Sequence, residues 1–482
     1  MPVSRLRLPV FLMAIGLTTA TSLAQSARAV QEKVNETIRS VSEGNKSYRP
    51  LFDAYLDMTP APTRTGSVTP DFNVDTIHNG MDDWDAVRSW AVANVRIADI
   101  IIENQNKTIF GLPYGTDGLS QTYIDRGLVA HVGVDGDLRR LEFRYFEAIE
   151  TILAFATADA YRKLEAGQGD EAVELILGTL FILDQLTGRD FLDEKLRAIR
   201  LMNSFLHATR DMMHVFRNTL TIDHFNRLAR EIPFVRVDLM TMPSGDRLVA
   251  EALIESVFTE SGEAEPARFV EVFAALQSRE EPLTRFGAAK RWRMVSLVHS
   301  SRQGSLERLQ LVYDDWWRRW MIRAYDPLLE IPTQYSRTNA VRYAAVTYAM
   351  RDIESLFRAR RHLVANVNGT AMAAAVNGYR LRFGTEPEDV KRAYAVFILK
   401  RTDLDPYDRD WGPFRYRYIS GRQLSINTEL YGFIPVEGGI LYSLGENQQN
   451  NRGEEHSDDG VTGDIVFWPA LRAIARERGI IP

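Results

Sequence analysis

Between residues 138 and 213 apolar side chains recur in steps of three and four, and no other pattern restricts the fold as strongly. Leu138, Leu141, Tyr145, Ile149, Ile152 and Ala156 make one stripe. Val173, Ile176, Leu177, Leu180 and Leu183 make a second, and Leu192, Leu196, Ile199, Leu206 and Met213 a third. At the period of an α-helix each set falls on one face. Gly167-Gln168-Gly169-Asp170 and Gly188 interrupt the stripes. The connections are so short that successive helices must run antiparallel. The layout suggests a tetratricopeptide-like stack, but it lacks a clean period of roughly 34 residues, so the array is irregular.

The same character extends on both sides. Asp82 and Asp83 stand where a helix over Trp84–Asn104 is capped. Pro243, Pro266, Pro282 and Pro332 mark joints further on. In Asp314-Asp315-Trp316-Trp317-Arg318-Arg319-Trp320, Trp316 and Trp320 share a helical face that Trp317 does not. That predicts core packing with arginines along the rim, and a carbohydrate or peptide groove is the second reading. Residues 30–80 predict a short helix over 30–40 and then a Thr/Pro-rich extended stretch. The loop with Gly111, Pro113, Gly115 and Gly118 fits no phosphate-binding spacing and reads as a turn-rich connection.

After Arg361 the period changes. A last long helix runs from His362 to Phe383 around the small-residue run Ala371 to Ala375, and a further helical piece spans Pro387 to Lys400. Phe414, Tyr416 and Tyr418 then alternate with Arg415 and Arg417, which is strand periodicity. Leu430 to Val436, Ile440 to Leu444 and Ile465 to Trp468 read as three more strands, and Ala470 to Arg478 as a closing basic helix. The predicted fold is mainly α: an irregular helical-hairpin array over residues 81–360, then a small α+β domain with an antiparallel sheet over 361–482.

Charge and processing signals bound the function. Arg5 and Arg7 precede the apolar run Leu8 to Leu17, and small residues follow at Ala24 and at Ala27 to Ala29. This is the order of a secretory leader over residues 1–29, cleaved after Ala24 or Ala29 or retained as an anchor. No later segment has the length and composition of a membrane span. The leader holds three arginines and no acid, so its removal takes the net charge from −6 to −9, which argues against nucleic acid as a partner. With no cysteine, thiolate catalysis, thiolate metal sites and disulfides are excluded.

One stretch suggests chemistry. Between Gly438 and Trp468, Glu446, Glu454, Glu455, Asp458, Asp459 and Asp464 crowd a Gly/Asn-rich loop. Hard oxygen donors with only His456 nearby favour calcium over zinc if a cation is bound. The spacing is not that of an EF-hand, and a solvated loop explains the acids equally well. The order Tyr379-Arg380-Leu381-Arg382-Phe383-Gly384, Asp405-Pro406-Tyr407, Phe414 to Tyr418, Leu441-Tyr442-Ser443-Leu444-Gly445 and Gly463-Asp464-Ile465-Val466-Phe467-Trp468 resembles the C-terminal domain of type II secretion major pseudopilins. The resemblance covers roughly residues 361–469. It implies a structural calcium that pins the last strands, with a backbone oxygen at Leu444 and side-chain oxygens near Asn447, Asp459 and Asp464. Asn447-Gln448 replaces that family's Asp-Gly, which implies weaker binding. A helical region and an ordinary leader also precede the domain, where a pseudopilin begins with its prepilin helix.

Elsewhere His207 and His214, seven apart with Asp211 between them, fall on one helical face and could serve a metal or a hydrolytic site, although polar residues at a helix joint explain them as well. HExxH and GxSxG are absent. These readings describe a non-enzymatic, exported scaffold of the bacterial cell envelope, periplasmic or extracellular. It carries a calcium-stapled C-terminal domain and binds a protein or peptide partner. Two alternatives stand beside it: a secretion-system accessory that docks on pseudopilins, and an envelope hydrolase with a site in the helical body.

Overall fold

The computed structural model describes residues 26–482 apart from 66–71, 135–136, 236, 238–239, 281–284, 323–325 and 399–401. The leader expected over residues 1–29 therefore lies outside the described residues as far as residue 25. Residues 26–40 form α1, which buries Ala27, Val30, Val34 and Ile38 at helical spacing. Next come α2 (Tyr48–Leu56), α3 (Trp84–Ala93), α4 (Arg96–Asn104) and α5 (Gln121–Asp125), then a ribbon of β1 (Ala130–Val132) and β2 (Leu141–Phe143). The body continues through α6 (Phe146–Glu165), α7 (Gly169–Thr187), α8 (Leu192–Val215), α9 (Ile222–Glu231) and α10 (Ser244–Ser256). Then α11 (Pro266–Phe269) and α12 (Ala275–Glu280) are joined by a π-helical turn. They precede α13 (Arg285–Ser296), α14 (Arg302–Trp320), α15 (Ala344–Ala349), α16 (Ile353–Phe383) and α17 (Val390–Phe397). The C-terminal part holds β3 (Arg415–Thr428), β4 (Gly432–Ser443), β5 (Glu455–His456), β6 (Ile465–Trp468) and α18 (Leu471–Glu477).

The protein is mainly helical with a small C-terminal sheet, as the periodicities predict. Several boundaries move for local reasons. The predicted helix over Trp84–Asn104 breaks after Ala93, where buried Asn94 donates to the Trp90 carbonyl at 2.8 Å and accepts from the Thr59 amide at 2.9 Å. Leu138 and Leu141 precede the helix they were expected to join: Leu141 pairs with Val132 in the ribbon, and α6 starts at Phe146. The two predicted strands, Leu430 to Val436 and Ile440 to Leu444, merge into one strand, β4, that continues through Gly438-Gly439 with an irregularity in its pairing to β3 between Ile419 and Leu424. A Cβ at Gly439 would enter the Tyr416 ring, so this glycine serves close cross-strand packing, not a turn. The sheet order is β5-β3-β4-β6; β4 runs antiparallel to both neighbours, and the two-residue β5 pairs parallel to β3.

Helix α16 joins body and sheet, and the expected boundary at residue 361 falls inside it. Ala371 to Ala375, Gly369 and Gly378 are buried along it. These small residues let neighbours approach closely: the Phe467 ring lies against Gly369, and Phe397 and Phe225 against Gly378. One core therefore runs from α1 through the helices to Phe414, Leu441, Ile465 and Phe467. The alternate residues Ile440, Tyr442 and Val466 face α18 and pack on Leu471 and Ile474. As the helical reading of the tryptophan run predicts, Trp316 and Trp320 are buried and Trp317 is exposed. Among the described residues no helix is long and apolar enough to cross a membrane.

Candidate functional site

The joint between body and sheet is not filled. A cavity of about 1140 Å³ lies there, walled by α8, the start of α16, the segment around Asp75 to Asp83, the acidic loop and α18. Its chemistry starts on α8. Arg200, Asn203, Ser204 and His207 follow one another at helical spacing, and Asp211 continues the row. They form a polar stripe on α8, flanked by buried apolar residues such as Ile199, Met202, Phe205 and Leu206. Arg472 and Arg476, one turn apart on α18, meet that stripe. Arg472 Nε donates to Asp211 Oδ2 at 2.6 Å and its Nη1 to Asp75 Oδ1 at 2.7 Å. Arg476 Nη1 reaches the same Asp211 oxygen at 3.1 Å, and its Nη2 reaches the Asp75 carbonyl. Ser204 Oγ donates to the other Asp75 oxygen at 3.0 Å.

The pairing leaves donors over. The Arg472 and Arg476 side chains are only 10% exposed, yet Arg472 Nη2 and Arg476 Nε have no hydrogen-bond partner among the described residues. Asn203 Oδ1 and His362 Nδ1, on cavity-lining residues, are buried without a partner as well. Arg200 is exposed and lines the cavity with no ion pair or hydrogen bond among the described residues, and among them the His207 ring has no hydrogen-bond partner either. Buried polar groups are normally satisfied, so orphans gathered beside one large cavity mark a place where a polar ligand completes the bonding.

Electrostatics point the same way. Burial disfavours the Arg472 charge, but Asp211 and Asp75 outweigh it and hold the guanidinium firmly protonated. Arg476 is shifted down by burial and by Arg472 beside it. Burial also pushes Arg210, which donates to Thr370 at 2.6 Å, down to about 10. Burial lowers all three cavity histidines: His78 to about 4 with Arg476 adding to the effect, His362 to about 4 with Arg210 adding, and His207 well below its usual value. Arg200, Arg472 and Arg476 thus line the cavity beside Asp75 and Asp211, with the three lining histidines neutral at pH 7, while Asp82, Asp83, Glu446, Asp458 and Asp459 line its other parts. The donors left over on Arg472 and Arg476 make that wall, though not the cavity as a whole, receptive to added negative charge.

The sequence-derived candidates land in different places. Of the α8 trio, His207 lines the cavity and Asp211 anchors its arginines. His214 is elsewhere, 3.2 Å from Glu477 and against the Trp468 ring. Of the expected calcium ligands, Leu444 and Asn447 line a separate pocket of about 300 Å³ beside Asp408 and Asp410. Asp459 lines the large cavity and accepts from Ser457 Oγ at 2.6 Å and the Val461 amide at 2.9 Å. Asp464 is fully buried and accepts from the Gly453 amide at 2.7 Å and the Asn451 amide at 3.4 Å. Burial lifts its carboxyl to about 6. Among the described residues no group of three or more His, Asp or Glu side chains is placed to hold a metal ion. The motifs that carried the pseudopilin resemblance do meet: Asp405 accepts from Ser443 Oγ at 2.7 Å, the Leu444 amide at 3.0 Å and the Tyr407 amide at 2.9 Å.

Sequence reasoning missed Arg200, Arg472, Arg476, His78 and His362. For α8 the signal was available: a polar row at helical spacing beside a buried apolar stripe. For α18 the i, i+4 arginine pair was visible, but its partners, Asp75 and Asp211, lie hundreds of residues away in sequence. The chain matches no protein-family model, no curated protein and no solved structure.

Proposed function

We propose that this protein is an exported binding protein whose cavity between helical body and C-terminal sheet captures a ligand bearing carboxylate or phosphate groups. The observation that carries the reading is the pair Arg472 and Arg476. Asp211 and Asp75 fix both in place, and each keeps a buried, unpartnered nitrogen on a wall shared with Arg200. Binding rather than turnover is supported by the state of the histidines. His456 accepts from the Val466 amide at Nδ1 and contacts Asp458 through Nε2 at 3.0 Å, so both nitrogens are engaged. His362 Nε2 is 2.7 Å from Asn366 Nδ2, and no second group among the described residues orients His207 as a general base would need. Cleavage after Ala24 keeps the described part of α1, residues 26–40, whereas cleavage after Ala29 removes Ala27 from the core, so the reading takes Ala24 as the site.

The test is a thermal-shift and calorimetric titration of the full chain with pyrophosphate and with tricarballylate. Saturable stabilisation is expected in the wild type, and its loss in Arg200→Ala and Arg476→Gln. Arg200 makes no ion pair, so its removal leaves the fold alone. No stabilisation of the wild type by either anion, or stabilisation undiminished in both variants, overturns the reading.

A further inference from the structure

We infer that the ligand is a short acidic peptide spanning two chambers, its carboxylates on the arginine wall and one large apolar side chain in a second cavity; this rests on the anion-binding reading above. The second cavity measures about 380 Å³ and presents Trp316, Leu329, Ile331, Pro332 and Phe357. It adjoins the first, because Arg358, Tyr407 and Glu446 line both.

The partition between them is weak. Arg358 contacts Glu446 at 3.3 Å and Glu354 at 3.0 Å, with the Arg358 side chain 59% exposed. Exposed pairs of this kind contribute little, so a ligand can part them. Burial of Tyr407 below, with the Arg361 guanidinium 4.5 Å from its ring centre, gives the passage a fixed floor. The first chamber alone exceeds the usual range of about 300–1,000 Å³ for small-molecule sites, which argues for an extended ligand.

The two chambers ask for different chemistry from one molecule. The first offers unpartnered cationic donors, with the Asp458, Asp459 and Glu446 carboxylates nearby as acceptors for amide N–H groups. The second offers apolar contact edged by Arg319, Glu330, Glu354 and Arg361. A lipid acyl chain would be pressed against those charges. A saccharide has no branched apolar group to place there. A peptide supplies carboxylates, backbone amides and a large side chain together.

The experiment is fluorescence anisotropy with the full chain and a labelled hexapeptide that starts with phenylalanine and ends with two aspartates. Replacing the phenylalanine by alanine, or both aspartates by asparagines, should each weaken binding about tenfold or more. Ile331→Asp, at a half-exposed position, should erase the preference for phenylalanine and keep the preference for aspartate. Arg200→Ala should do the reverse. Equal binding of the alanine peptide, or tighter binding of oligogalacturonate or of anionic vesicles, overturns the peptide assignment. If pyrophosphate still stabilises the protein in that case, the anion site stands and only the two-chamber ligand falls; if it does not, both fall.

Discussion

Helix α8 carries a buried carboxylate near each end, and the two are used differently. Near the start, Glu194 is fully buried and accepts from Arg189 Nε at 2.9 Å and from the hydroxyls of Tyr114 and Tyr145 at 2.6 Å each. The Arg189 guanidinium also lies 4.1 Å from the Tyr114 ring centre and donates to the Leu112 carbonyl, and the cluster lines none of the cavities described above. Near the other end, Asp211 is shared by two arginines that keep unpartnered nitrogens beside a cavity of about 1140 Å³. A buried ion pair is therefore not by itself a site. Among the described residues Arg189 Nη2 is unpartnered as well, so the accessible volume beside the leftover donors is what separates a functional cluster from a structural one.

Neutralising each carboxylate tests that distinction and should give the largest effects. Glu194→Gln leaves Arg189 buried against a neutral amide and should lower unfolding free energy by about 3–5 kcal/mol, read from urea melts. Asp211→Asn should cost less, about 2–3 kcal/mol, because water and anions can reach the released guanidinium groups. Phosphate should recover stability in Asp211→Asn more than in the wild type and should do nothing particular for Glu194→Gln. Equal phosphate responses in the two variants would remove the contrast.

Acid provides a second probe with a smaller effect. His78 and His362 titrate near 4 in the folded chain against an ordinary value of 6.5, so the unfolded state binds more protons between those limits. Their contribution is fully present above pH 6.5 and is lost as pH falls toward 4. Asp246 acts in the opposite sense. Burial raises it to about 7 from 3.8, so the folded state holds its proton more tightly and this residue favours folding as pH falls across that window. Replacing His78 by Gln should flatten the acid limb of a stability–pH curve by about 2 kcal/mol, and Asp246→Asn should steepen it. Anion affinity should rise as pH falls toward 4, where His78 and His362 gain protons in the same cavity.

Much of the fold could be read from periodicity, because helix stripes and strand alternation are local. The three stripes from 138 to 213 locate α6, α7 and α8, and the alternation at Phe414 to Tyr418 locates β3. What failed was also local in cause: two strands were expected on either side of Gly438-Gly439, but one strand runs through because Gly439 leaves room for the Tyr416 ring, and Asn94 breaks a helix with nothing in the apolar pattern to announce it. The site was less legible. Its cavity depends on Asp75, Asp211 and Arg472 meeting across the whole chain, and only the α8 stripe hinted at it. The acidic loop drew notice by its composition, yet Asp464 accepts from backbone amides and His456 contacts Asp458.

That loop supplies the smallest predicted effects and the sharpest division of roles. Asp464→Asn removes a charged acceptor from the Gly453 and Asn451 amides and should lower stability by about 1–2 kcal/mol in calcium-free buffer. Asp459→Ala gives up the bonds from Ser457 Oγ and the Val461 amide at a partly exposed position and should cost about 0.5 kcal/mol. Calcium distinguishes the two substitutions. With a cation held as the pseudopilin resemblance implies, millimolar calcium raises the melting temperature of the wild type, and Asp459→Ala loses that rise while keeping near-normal stability without calcium. Should the wild type show no rise, Asp464 and its amide partners fasten the loop unaided, and the acidic residues facing the cavity serve the ligand instead of a metal.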